Sequence, residues 1–204
     1  PDRMYPDTDS PPTRVTRERV ERLRQTLAER PWEREARYAA AGVPASTSHF
    51  LIRRGGAALV DHVVSECGAD LRHAAFLVGE RAKGLDRAGT TVDELSREDW
   101  CALFQAFAER PALRDAWAAL VIQVALVPPT TVPKALSELG YDREPPSWRN
   151  EVAAGLDEAR ETVYDDDPGR LARHAAGAVM RRLRGHVPAR TVLEALNRRL
   201  EAER

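Results

Sequence analysis

Apolar residues recur along this chain at the three- and four-residue spacing of helices, and the breaks between runs fall at proline and glycine. No series of alternating strands competes with that pattern, and the weak β tendency of residues 121–127 is outweighed by the surrounding Ala, Leu and Gln. Val20, Leu23 and Leu27 form the stripe of a first helix, with Thr16 as its N-cap. Pro31 opens a second, which ends before Gly42. Helices over 46–54, capped by Ser46, and over 57–66 are divided by Gly55 and Gly56, and beyond Gly68 a single helix is predicted over 70–83. Ser96 and Asp99 have capping-box spacing and introduce a core face of Trp100, Leu103, Phe104 and Phe107. Further helices follow over 112–127, bounded by Pro111 and Pro128-Pro129, and over 131–139.

Residues 141–147 carry charges and two prolines and read as a linker. Three helices follow, over 148–163, 168–183 and 189–200, for which packing around one small core is the economical arrangement. The reading is therefore all-α: an extended segment at 1–15, a helical domain at 16–140, the linker, and a three-helix tail domain at 148–204. Beginning at Pro1 without an initiator Met, the chain reads as a fragment or a processed protein.

Composition changes this picture in two places. The apolar content of 43% supports a real core, yet no run of 18 apolar residues exists, so a membrane span is not expected, and the acidic N-terminus is no signal peptide. The formal net charge of −1 averages two opposed regions: residues 133–167 carry four basic groups against ten acidic, and residues 170–204 carry nine arginines against three acids. A basic helical end suits a phosphate backbone. The plainer reading is a solvated face in a chain that uses 29 Arg and only 2 Lys.

Candidate chemistry is sparse. His49, His62, His73, His174 and His186 match no metal spacing and are assigned structural or surface roles. Asp165-Asp166-Asp167 ends in a helix cap before Pro168, a simpler role than metal binding. Gly55, Gly56 and Gly84 belong to no nucleotide-binding loop, and Ser46, Thr47 and Ser48 beside His49 form no nucleophile triad. Trp32, Trp100, Trp117 and Trp148 lie in apolar helical patterns and read as core anchors. Cys67 and Cys101, without a CxxC partner, fit two small core residues in a reducing cytoplasm, although a disulfide between them is also compatible with the sequence.

The tail is more specific. Ala176, Val179, Met180 and Leu183 line an inner face, while Arg181, Arg182 and Arg184 project elsewhere; Gly177 either permits close helix approach or merely weakens the helix. Gly185 ends that helix in a left-handed cap, His186 occupies the turn, and Pro188 starts the next helix, where Val192, Leu193, Leu196 and Leu200 are committed to packing. Arg190 is a fourth candidate for phosphate contact, with Glu194 as an alternative partner four residues on.

The run from Gly177 through Val179, Met180, Gly185 and Pro188 to Val192 resembles the tail domain shared by the B and E subunits of glutamyl-tRNA(Gln) amidotransferase and by small free-standing tail-like proteins. The opening Arg3-Met4-Tyr5-Pro6 resembles the end of the catalytic cradle of those subunits and is closer to the E type. The resemblance implies that a cradle outside this sequence activates Glu on misacylated tRNA(Gln) with ATP and Mg, that a partner amidase subunit delivers ammonia, and that B-type subunits treat Asp on tRNA(Asn) likewise. It further implies that the helical and tail domains hold the tRNA, with the tail at its outer corner near the D loop. On this reading the chain is a cytoplasmic tRNA-positioning arm with no complete catalytic centre or cofactor of its own. The alternatives are a helical protein-interaction module and a free-standing tail-like protein.

Overall fold

The computed structural model describes residues 14–90, 92–126, 130–143, 147–162 and 167–202. The opening motif at residues 3–6, the Pro128-Pro129 stop, residues 144–146 of the linker with both its prolines, and Asp165-Asp166 lie outside the described residues. Those described are helical with connecting turns, as the apolar periodicity predicts, and no strand occurs among them.

Among the described residues twelve α-helices follow in order: α1 Arg17–Thr26, α2 Pro31–Ala40, α3 Ala45–Arg54, α4 Gly56–Cys67, α5 Leu71–Phe76, α6 Ala82–Arg87, α7 Arg97–Glu109, α8 Trp117–Leu126, α9 Val132–Glu138, α10 Trp148–Thr162, α11 Pro168–Leu183 and α12 Ala189–Ala202. Local chemistry sets several starts. Thr16 accepts the Arg19 amide at the head of α1, Ser96 and Asp99 complete their reciprocal box on α7, and Asp167 accepts the Gly169 amide ahead of Pro168 on α11.

Two cores form. The larger, drawn from α2 to α9, contains Tyr38, Leu51, Val60, Trp100, Leu103, Phe104, Phe107, Leu113 and Leu120. The smaller is built by α10, α11 and α12 around Leu156, Val179, Leu183, Val192 and Leu196, all fully buried. Burying each such side chain contributes roughly 1.5–3 kcal/mol against leaving it in water, which is what closes a three-helix unit of this size.

Several sequence expectations are corrected. Helix α1 forms but contributes no buried residue: Leu23 and Leu27 are 54% and 74% exposed, so its apolar stripe has the right period and no partner among the described residues. Ser46 lies inside α3, whose N-cap position is Pro44. The expected helix over 70–83 is broken by a π-helical turn, Leu77–Arg81, between α5 and α6. The cause is tertiary: Gly79 sits so near α3 that a Cβ there would lie 2.7 Å from Thr47 Cγ2, and the Thr47 hydroxyl donates to Glu80 Oε1 at 2.7 Å. Pro111–Ala116 is a 3-10 helix rather than the first turns of α8. Trp32 is 63% exposed and stacks under the Arg30 guanidinium instead of anchoring a core, and Leu193 is also partly exposed; Trp117 and Trp148 are half-buried against the two cores.

Cys67 and Cys101 are joined as a disulfide, which replaces the expectation of two reduced core residues. The packing of α4 on α7 brings their Cα atoms to 5.7 Å across a sequence separation of 34, within reach of a bridge that their spacing along the chain could not specify.

Candidate nucleic-acid interface

The tail motif residues divide by role. Val179, Met180 and Val192 are buried in the small core. Gly177 is exposed on α11, where a Cβ would meet nothing within 4 Å, so of its two readings only the weakened helix applies. The close-approach glycine is Gly155 on α10, which the sequence pattern did not single out: a Cβ there would lie 2.3 Å from Val179 Cγ2. Gly185 has φ +83°, the left-handed geometry anticipated for the end of α11, and Pro188 stands immediately before α12.

The turn 184–188 is also where the two cores meet. Tyr141 packs its ring against Gly185, where a Cβ would lie 2.5 Å from Tyr141 Cε1, and makes an edge contact with His186 at 5.7 Å between centroids. Arg110 donates to the Tyr141 carbonyl oxygen. Asp115, in the 3-10 helix, accepts the Ala189 amide at 2.8 Å and so caps α12 from the other unit. Burial raises the Tyr141 phenol pKa, and the positive charge of Arg184 acts in the opposite direction.

The four candidate arginines are exposed but electrostatically unequal. Arg181 Nη2 lies 2.8 Å from Glu158 Oε1; Arg182 bridges Glu151 Oε2 and Glu158 Oε2, both at 3.0 Å. Two guanidinium groups of α11 thus face two carboxylates of α10, and their charges cancel. Arg190 pairs with Glu194 at 2.9 Å, the alternative its spacing offered, with Arg198 3.9 Å from the same side chain. Arg184 alone of the four makes no ion pair among the described residues. Of these four candidates, therefore, three are compensated by carboxylates and Arg184, at the turn, is not.

Elsewhere, Arg34, Arg37, Glu29 and Asp61 form a charge-balanced cluster joining α2 to α4, with the Tyr38 hydroxyl 3.0 Å from Asp61 Oδ1. Burial first, and then Asp61, push the Tyr38 phenol pKa up. Such saturation points to a fastening rather than a reactive group. Among the described residues no three His, Cys, Asp or Glu side chains gather as a metal site, and no helix is long and apolar enough to cross a membrane. No glycine loop of nucleotide-binding type occurs in the sequence.

No family model matches the chain. It is similar to the E subunit of glutamyl-tRNA(Gln) amidotransferase from Methanopyrus kandleri, 31% identical over 108 residues, covering 52% of this chain and 17% of the relative. The corresponding E subunit from Methanosarcina barkeri is 23% identical over 206 residues, covering 98% of this chain and 32% of the relative. The B subunit of aspartyl/glutamyl-tRNA(Asn/Gln) amidotransferase from Thermus thermophilus is 41% identical over 49 residues, 24% of this chain and 10% of the relative. The chain spans less than a third of the length of these relatives. At low identity, and over that part of their length, it is related in sequence to the E and B subunits of tRNA amidotransferases.

Proposed function

We propose that this chain is the tRNA-holding helical and tail portion, residues 16–140 and 148–204, of an amidotransferase subunit of the E or B type. The observation that carries the reading is the similarity to an E-type relative along 98% of the chain, both cores included. The substrate on this reading is Glu-tRNA(Gln), or Asp-tRNA(Asn) for a B-type enzyme, and the second partner is the amidase subunit. A helical surface with an exposed guanidinium at a turn suits recognition of RNA by shape and backbone, because the A-form major groove is too narrow for side chains to read. Arg184 presents a planar fork for a phosphate without first leaving a carboxylate. The contribution to catalysis is positional: holding the tRNA body limits where its charged 3′ end can go.

The test is a titration of tRNA(Gln) transcript at several salt concentrations. Wild type should bind weakly and with salt sensitivity. Arg184→Ala should lower the slope of log affinity against log salt by about 1, more than Arg181→Ala does. Equal affinity and slope for the wild type and the triple Ala replacement of Arg181, Arg182 and Arg184 would reject the tail as the RNA contact. Mixed alone with Glu-tRNA(Gln), ATP and glutamine, the chain should yield no Gln-tRNA.

A second reading is favoured by one observation: Val15, Leu23, Leu27 and Trp32 expose apolar surface around α1. A protein-interaction module would use that face. Capture of the amidase subunit, lost on Leu23→Ser and Leu27→Ser with tRNA affinity intact, would support it.

A further inference from the structure

We propose that Glu151 and Glu158 act as an internal stand-in for RNA phosphates, occupying Arg181 and Arg182 when no RNA is bound and setting the affinity of the tail for RNA. The inference rests on the reading of the tail as an RNA arm. Glu151 and Glu158 are seven residues apart on α10, two turns along one face, and direct their carboxylates at the adjacent guanidinium groups of α11. Arg182 spans both carboxylates, and Glu158 takes a hydrogen bond from each arginine, a geometry in which forked donors are already ordered toward two anionic sites.

Three features make this an exchangeable contact. The side chains lie at the surface, 48% and 67% exposed for Arg182 and Arg181 and 28% and 39% for Glu151 and Glu158. Exposed pairs of this kind contribute little to folding, so breaking them costs the protein little. A phosphate reaching these guanidinium groups would meet a surface of no net charge, and exchange would leave two carboxylates beside the RNA, a standing penalty on affinity. The acids of α10 thus keep the arginines oriented and limit how tightly a polyanion is held, which a positioning arm that must release its product requires.

The experiment uses the full chain and a tRNA(Gln) transcript in fluorescence anisotropy at fixed, moderate salt. Three proteins are compared: wild type, E151Q/E158Q, and E161Q/E201Q, the last removing two exposed acids that pair with neither Arg181 nor Arg182, with thermal melts to establish that all fold. E151Q/E158Q should bind about 3- to 10-fold tighter than wild type, and E161Q/E201Q should bind with a much smaller gain. Adding R181A/R182A to E151Q/E158Q should abolish the gain. Equal tightening by the two double variants would reduce the effect to net charge and overturn the inference. Binding by wild type with no change in E151Q/E158Q would overturn it while leaving the RNA reading intact. Failure of every protein to bind would overturn both.

Discussion

Gly155 and Gly177, both in helices of the tail, should respond to alanine in opposite directions. At Gly155 the new Cβ would lie 2.3 Å from Val179 Cγ2 and 3.5 Å from both the Ala175 carbonyl oxygen and the Val179 amide nitrogen, so α10 and α11 must separate or Val179 must leave its position. Overpacking of this kind costs about 1–3 kcal/mol, against roughly 1 kcal/mol gained because alanine is the better helix former. At a separation of 2.3 Å the upper part of that range, about 2–3 kcal/mol, applies, so the expected net result is a loss of about 1–2 kcal/mol for Gly155→Ala. At Gly177 the Cβ meets nothing, so only the helix term remains and Gly177→Ala should stabilise by about 0.5–1 kcal/mol. Denaturant-dependent exchange of the backbone amides in α10, α11 and α12 reads the tail apart from the larger core, whose Trp100 and Trp117 would dominate fluorescence. A double-mutant cycle sharpens the test: Val179→Ala deletes the clashing methyl, so the cost of Gly155→Ala should fall by at least about 1 kcal/mol in that background. A Gly155→Ala protein as stable as wild type, or strictly additive effects of the two changes, would refute close helix approach as the reason for glycine here.

Reduction of the Cys67–Cys101 disulfide should lower the stability of the larger core by about 2–4 kcal/mol, as expected for a closed loop of this length, while tail unfolding stays unchanged; far-UV melts with and without reductant read the difference. Asp115→Ala should cost the tail about 0.5–2 kcal/mol by uncapping α12, with Asp115→Asn recovering much of it; equal stability of wild type and Asp115→Ala would remove the cap from consideration. His73, edge-on to Phe104 and Phe107, has its pKa lowered by burial and then by Arg114, with Asp70 opposing. The fold therefore favours the neutral ring, and this contribution, complete above about pH 6.5, is lost as pH falls from there through the lower folded value. His73→Phe should flatten the stability profile over that acid window, measured by denaturant titration at a series of pH values.

What the sequence disclosed follows from the range of the forces involved. Helix identities and many ends are local events, settled by Thr16, Ser96 with Asp99, Asp167 and Gly185 within a few residues of each end. The buried faces of α7, α11 and α12 were legible because period and burial coincide. Period alone failed for α1, where Leu23 and Leu27 have the spacing of a core stripe without a partner among the described residues. The π-helical turn, the disulfide and the role of Gly155 all depend on what a distant segment brings close, and nothing local encodes it. The arginines of the tail illustrate the same limit: their number was visible, but their compensation by Glu151 and Glu158, 31 and 24 positions from Arg182, required the packing of α10 on α11.

The cap that Asp115 places on α12 bears on modular inheritance. The residue just before α12 is Pro188, whose side chain has no acceptor, so the start of this helix borrows its oxygen from a neighbour 74 residues upstream. A tail cut free at residue 148 would lose that acceptor, together with the Tyr141 ring that covers Gly185. Separated in this way, the tail would leave the Ala189 amide to water and Gly185 without its aromatic cover, so the three helices should be less stable alone than in the whole chain.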